Sequence, residues 1–151
     1  MNNNYWYRKN VFITGINGFI GGNLAKLLVQ KGANVFGLIR NHSEKSFLYF
    51  EGIAKDTVNI MGDILDKELM CRIISEENIN VVFHLAAQVE VGVGMLNPYL
   101  TLETNIRGTY TRFWKRYDRI WIQLKQRCLL QQTKHMALII ETRCPIKRII
   151  P

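Results

Sequence analysis

Thr14-Gly15-Ile16-Asn17-Gly18-Phe19-Ile20-Gly21 decides how this chain is read. The stretch follows Val11-Phe12-Ile13, a short apolar run that predicts a buried parallel strand. It leads into Leu24, Leu27 and Leu28 at helical spacing, and Gly32 is placed to stop that helix. A glycine is wanted at three points for three different reasons. Gly15 permits the tight turn out of the strand. Gly18 carries no side chain, so backbone amides can approach a pyrophosphate. Gly21 lets the helix pack close to the sheet. The start of the helix offers unpaired N–H groups and the positive end of its dipole. The turn is therefore read as a dinucleotide cradle, with the Phe19 and Ile20 amides among its contacts. A purely structural glycine turn is the competing reading.

Working outward, strands and helices alternate. Residues 35–39 predict a second strand, and Val58-Asn59-Ile60 a third, ending at Gly62-Asp63. Asp66 is placed to cap a helix over Leu69, Ile73 and Ile74. Residues 81–85 predict a fourth strand, the most apolar of the four. Pro98 is placed to open a helix running through Leu102, Ile106 and Tyr110. Residues 41–56 are polar and aromatic and give no clear period. The expected fold class is α/β: a Rossmann-type doubly wound parallel sheet of about four strands, incomplete, followed by a poorly structured C-terminal tail. The chain has 151 residues, about one domain, whereas two mononucleotide halves and a substrate region need about twice that. A fragment is the expectation.

Four motifs in order then point to a family. Gly15-x-x-Gly18-x-x-Gly21 with Thr14 and Phe19 resembles the extended short-chain dehydrogenase/reductases of the NAD-dependent epimerase/dehydratase kind. So do Gly62-Asp63-Ile64, His84-Leu85-Ala86-Ala87-Gln88, and the run from Pro98 through Asn105 to Gly108-Thr109. Within that family, residues 84–109 look closest to the nucleotide-sugar 4,6-dehydratases acting on CDP-glucose or GDP-mannose. The resemblance implies NAD or NADP as cofactor and, for a full-length parent, a nucleotide sugar as substrate and homo-oligomeric assembly. It implies that Asp63, with Ile64, holds the adenine amino group, and that Leu85, Ala86, Ala87 and Gln88 line the cofactor. Asn105 would bridge backbone groups beneath the site. Arg40 stands where NAD-preferring relatives place an acid. It either meets the 2′-phosphate of NADP or is an ordinary solvated arginine.

The family's catalytic Tyr-x-x-x-Lys belongs well beyond residue 120, and the sequence has no such pair there. Its one Tyr-x-x-x-Lys is Tyr5 to Lys9, ahead of the first strand and at the wrong end of the sheet. No catalytic residue is assigned, and the chain as written is expected to be inactive.

Residues 1–111 are read as the N-terminal part of an NAD(P)-binding domain, and 112–151 as no domain at all. The first segment holds ten Lys/Arg and ten Asp/Glu; the second holds ten Lys/Arg against Asp118 and Glu141, so the net charge of +8 lies entirely in the last forty residues. All eleven glycines lie at or before Gly108. A basic tail on a stand-alone nucleotide-binding module, reaching nucleic acid or an anionic surface, would explain the charge alone. A shifted reading frame explains more. Starting each triplet at the old third base, Phe113-Trp114 forces Leu and Trp114-Lys115 forces Glu, while Tyr117-Asp118 gives Arg or a stop. Family-like helix residues return. The same shift over 131–137 permits Ala-Asp-Lys-Ala-Tyr-Gly, and over 144–151 Pro-Tyr-Lys-Glu-Asp-Tyr-Pro. An out-of-frame tail is preferred, and nucleic acid is not favoured as a partner.

The three cysteines, Cys71, Cys128 and Cys144, show no metal-type spacing. Reduced thiols in a cytoplasmic protein are the plain expectation, with no metal, no secretion signal and no membrane span. Resequencing the gene tests the frame. An inserted or missing base near codon 112 is the expected outcome, and an unbroken frame encoding residues 112–151 as written would count against it.

Overall fold

The computed structural model describes residues 5–109 and 138–141. Strand β1 (Asn10–Thr14) leads through the glycine turn into helix α1 (Phe19–Gln30) and then β2 (Asn34–Ile39). A short helix α2 (Phe47–Phe50) and a 3-10 turn at Ile53–Asp56 precede β3 (Val58–Met61). Helix α3 (Lys67–Glu76), β4 (Val81–His84), α4 (Val91–Leu96) and α5 (Pro98–Leu102) come next. A π-helical segment, Glu103–Arg107, continues α5, and β5 spans Leu138–Glu141. The sheet order is β3-β2-β1-β4-β5, with β1 to β4 all parallel.

Two apolar layers explain why the strands read as unbroken hydrophobic runs. Side chains alternate across a strand. Val11, Ile13, Val35, Ile39, Val81 and Phe83 face one core, where Ala25 and Leu28 of α1 and Leu48 of α2 close over them. Phe12, Phe36, Leu38 and Val82 face the other, covered by Met70 and Ile73 of α3. Both faces are buried, as the doubly wound reading requires.

The helix signals act as expected. Asp66 accepts from the Leu69 amide at 3.0 Å, and Asn97 accepts from Leu100 at 3.0 Å with Pro98 in the first helical turn. Gly32 lies just past α1 with φ of +75°. Residues 41–56 show no period because their helix is a single turn, held from outside: Leu48 is fully buried and Phe47 packs edge-on to Phe19. Helix α4, with Gly92 and Gly94 inside it, is not legible in the sequence, since glycine disfavours helix.

β5 departs from the parallel arrangement that a fifth strand would take. It runs antiparallel to β4, Val81 opposite Glu141 and His84 opposite Leu138. The open edge of β4 presents unpaired N–H and C=O groups, and an extended apolar segment can satisfy them in either direction. Apart from residues 138–141, the expectation of a poorly structured tail falls outside the described residues.

Replacing the α3 cap tests the assignment of local order. Asp66→Ala is expected to cost about 1 kcal/mol, read from the urea midpoint, and Asp66→Asn to keep most of it. Equal midpoints for parent and alanine variant would contradict the cap.

Candidate functional site

All the candidate residues lie at the carboxyl ends of parallel strands: Gly15 beyond β1, Arg40 beyond β2, Asp63 beyond β3 and Leu85 beyond β4. The strand order reverses at β1, between β2 on one side and β4 on the other. That switch point is where open α/β sheets leave a crevice for ligands.

Backbone crowding dictates the glycines. Gly15 has φ of +76°, and a Cβ there would stand 2.8 Å from the Ala86 nitrogen and 2.9 Å from the Leu85 carbonyl carbon. The turn from β1 therefore lies directly against the exit of β4. A Cβ on Gly21 would come within 2.2 Å of the Gly15 oxygen. Gly21 thus serves the close approach of α1 to the turn itself, a tighter constraint than the helix–sheet contact that the sequence suggested. Gly18 is different. Its φ of −71° suits any residue, and a Cβ would meet the Gly15 oxygen at 3.3 Å. Folding needs glycine most strictly at 15 and 21; at 18 a side chain would be tight only against the Gly15 oxygen.

No side chain caps the start of α1, and its first turn holds no acid. Phe19 and Ile20 are exposed there, at 77% and 56%. Asn17 donates to the Asn41 carbonyl at 3.0 Å and so ties the turn to the end of β2, while its Oδ1 is buried and unpaired. Arg40 is exposed beside it. The carboxylate of Asp63 accepts from the Leu65 amide at 2.7 Å. Ile64 is buried in the second core against Gly108, so its side chain packs the fold.

At the other wall, Leu85 packs on the first core, Ala86 is half-buried and Ala87 exposed. Asn105 brackets Gln88: its Oδ1 accepts from the Gln88 amide at 2.7 Å and its Nδ2 donates to the Gln88 carbonyl at 2.9 Å. The bridging role expected of Asn105 is what the geometry provides. The Nε2 of Gln88 is buried without a partner. An uncapped helix start, a glycine cradle and two orphaned polar atoms fit an extended, polar, phosphate-bearing molecule.

Sequence reasoning gave no task to Thr14, His84 or Thr109. Thr14 and His84 are register partners, and their Oγ1 and Nδ1 are 2.8 Å apart. His84 Nε2 lies 3.1 Å from Thr109 Oγ1. A signal was present, in a threonine and a histidine each placed at the end of a predicted strand. Tyr5 and Lys9, by contrast, form a cation–π contact with Nζ 3.4 Å from the ring centroid, at the amino end of β1 and away from the crevice. Among the described residues no cluster of His, Cys, Asp and Glu could hold a metal ion, and no helix is long and apolar enough to cross a membrane.

The family model of GDP-mannose 4,6-dehydratase matches residues 12–120. A GDP-mannose 4,6-dehydratase of Sordaria araneosa is 36% identical over 101 residues, covering 67% of this chain and 19% of its own length. A CDP-glucose 4,6-dehydratase of Salmonella typhimurium is 36% identical over 107 residues, covering 70% of this chain and 30% of its own. Among solved structures, an epimerase of Methanothermobacter thermautotrophicus superimposes with a TM-score of 0.61 at 33% identity, over 70% of this chain and 30% of that one. A UDP-glucose 4-epimerase of Stenotrophomonas maltophila, solved with bound NAD and formylated UDP-arabinopyranose, gives a TM-score of 0.59 at 31% identity, over 67% of this chain and 31% of that one. The fold is that of the short-chain dehydrogenase/reductase epimerases and dehydratases. Within that class, the chain belongs to the GDP-mannose 4,6-dehydratase family. It spans under a third of the length of these relatives.

Burial lowers the His84 pKa from the usual 6.5 to about 4. The unfolded chain takes up this proton below about pH 6.5, the folded chain only below about 4. Stability therefore falls as pH drops through that window, by on the order of 3 kcal/mol in all, and is unaffected above it. Urea unfolding at steps between pH 7 and 4 should show this slope, and His84→Gln should flatten it. Identical slopes in the two proteins would contradict the assignment.

Proposed function

We propose that residues 1–111 form the adenine- and pyrophosphate-binding part of a nucleotide-sugar 4,6-dehydratase or epimerase, and that the chain as written turns over no nucleotide sugar. One observation carries the binding half: the start of α1, with Gly18 as its N-cap and no side chain capping it, opens on the glycine turn at the switch in strand order. The Gly18, Phe19 and Ile20 backbone faces the pyrophosphate. Asp63 receives the adenine amino group. Ala86, Ala87 and Gln88 line the nicotinamide side, where Gln88 Nε2 is a donor in search of an acceptor. When bound, the dinucleotide supplies a hydride acceptor at the sugar's carbon four. The residues of the crevice bind and orient it.

The absence of turnover rests on chemistry. Hydride removal from a carbinol needs a base for the hydroxyl proton, and the sequence beyond residue 120 has no Tyr-x-x-x-Lys to supply one. Residues 112–151 are out of frame on this reading, which accounts for the charge, the missing glycines and the missing pair together. The substrate of a full-length parent would be a GDP- or CDP-linked sugar, and its assembly homo-oligomeric.

NADP is the preferred cofactor on this reading. Arg40 is exposed at the end of β2 with no ion pair among the described residues, and its charge and planar fork suit a 2′-phosphate.

Calorimetry on the 151-residue protein tests the site. NADP is expected to bind weakly, and Gly18→Val to weaken it further. Arg40→Ala should weaken NADP roughly tenfold while leaving NAD unchanged. No GDP-mannose or CDP-glucose should be consumed. Equal affinity of parent and Gly18→Val would defeat the assigned cradle, and measurable turnover would defeat the claim of inactivity.

A further inference from the structure

A run of hydrogen bonds joins the wall of the crevice into a circuit. The Ala86 amide donates to Thr14 Oγ1 at 3.3 Å, and Thr14 Oγ1 lies 2.8 Å from His84 Nδ1. His84 Nε2 lies 3.1 Å from Thr109 Oγ1, which donates to the Asn105 carbonyl at 2.7 Å. The Asn105 side chain then turns back to bracket Gln88. The circuit starts and ends on the cofactor-lining segment, two residues apart.

We propose that His84 is a positioning residue, whose neutral Nε2–H tautomer relays a one-way chain of hydrogen bonds from the Ala86 amide to the Asn105 carbonyl and so sets where residues 86–88 stand against the glycine turn. The proposal rests on the dinucleotide reading of that turn. Donor and acceptor chemistry forces the direction. An amide can only donate, so Thr14 Oγ1 accepts from Ala86. The Thr14 hydroxyl has one proton and is fully buried, so that proton goes to Nδ1. A neutral ring accepting at Nδ1 carries its own proton at Nε2. Thr109 accepts it and passes its proton to the Asn105 carbonyl. With the other tautomer, Thr14 would receive two donors and its own buried proton would lose its acceptor. The burial that holds the His84 pKa near 4 keeps the ring neutral at ordinary pH.

Position matters here because the tolerance is small. A Cβ on Gly15 would meet the Ala86 nitrogen at 2.8 Å, so turn and strand exit already touch. A displacement of Ala86 opens or closes the gap beside the proposed pyrophosphate. The π-helical segment Glu103–Arg107 adds a residue to the helical turn and changes the heading of the chain beyond it; Asn105 reaches the relay from within it and Thr109 from just after it.

The test is nuclear magnetic resonance on the full 151-residue chain labelled with nitrogen-15. Two-bond proton–nitrogen correlation of the His84 ring at neutral pH should show the Nε2–H tautomer with Nδ1 as acceptor. Thr109→Val keeps the shape and removes the hydroxyl that faces Nε2. It should speed exchange of the Ala86 amide, at the far end of the relay, by about tenfold, with the β1–β2 ladder amides unchanged. Thr109→Ser should restore the parent rate. A Nδ1–H tautomer, or an Ala86 rate indifferent to Thr109→Val, overturns the relay. Failure of the parent to bind either NAD or NADP overturns the cofactor reading instead, because the ring spectrum and the exchange rates are read without cofactor.

Discussion

The approach of Gly15 to Leu85 and Ala86 is the constraint on which the rest of the described structure depends. Two backbones cannot come this near with a Cβ between them, and a φ of +76° is itself a conformation that side chains resist. Because the turn lies against the exit of β4, Thr14 reaches the Ala86 amide and His84. Because Gly21 lets α1 fold back onto the Gly15 carbonyl, the start of that helix points into the crevice at the switch in strand order. The cradle is thus a consequence of the way two strand ends meet.

Around this contact the sheet behaves as a parallel sheet must. Its strands are apolar on both faces because helices cover both, and Gly15, Arg40, Asp63 and Leu85 gather at one edge because every strand of β1 to β4 points the same way. The same regularity leaves β4 with an open edge. β5 takes that edge antiparallel, with a four-residue ladder. Beyond the crevice, α4, α5 and the π-helical segment leave large apolar side chains exposed, among them Met95 at 81% and Leu96 at 89%.

Much of this is legible along the chain, for reasons that can be named residue by residue. The glycine spacing is local, and so are the cap at Asp66, the Asn97-Pro98 start and the apolar strand runs. Each is set by neighbours within a few positions. Helix α2 is not legible, because one turn carries no period and Leu48 is buried in a core shared with α1 and the sheet, far away in sequence. Helix α4 is not, because its glycines argue against helix. The need for glycine at 21 is legible and its contact is not, since the carbonyl it would strike belongs to a turn whose path only the fold defines.

The sequence by itself determined the order of the four parallel strands and of the helices α1, α3 and α5, the two-sided burial of the sheet, the glycine turn and the family to which these belong, because all of them rest on short-range spacing and on side-chain type. The tertiary structure alone decided which groups meet across that spacing. It set Thr14 beside His84, seventy residues away, and Thr109 on the ring's other nitrogen, and it turned Asn105 onto Gln88. It left Asn17 Oδ1 and Gln88 Nε2 buried without partners. Hydrogen bonds between distant segments depend on the register of β1 against β4 and on the heading of the helix after Pro98, and neither is encoded at any single position.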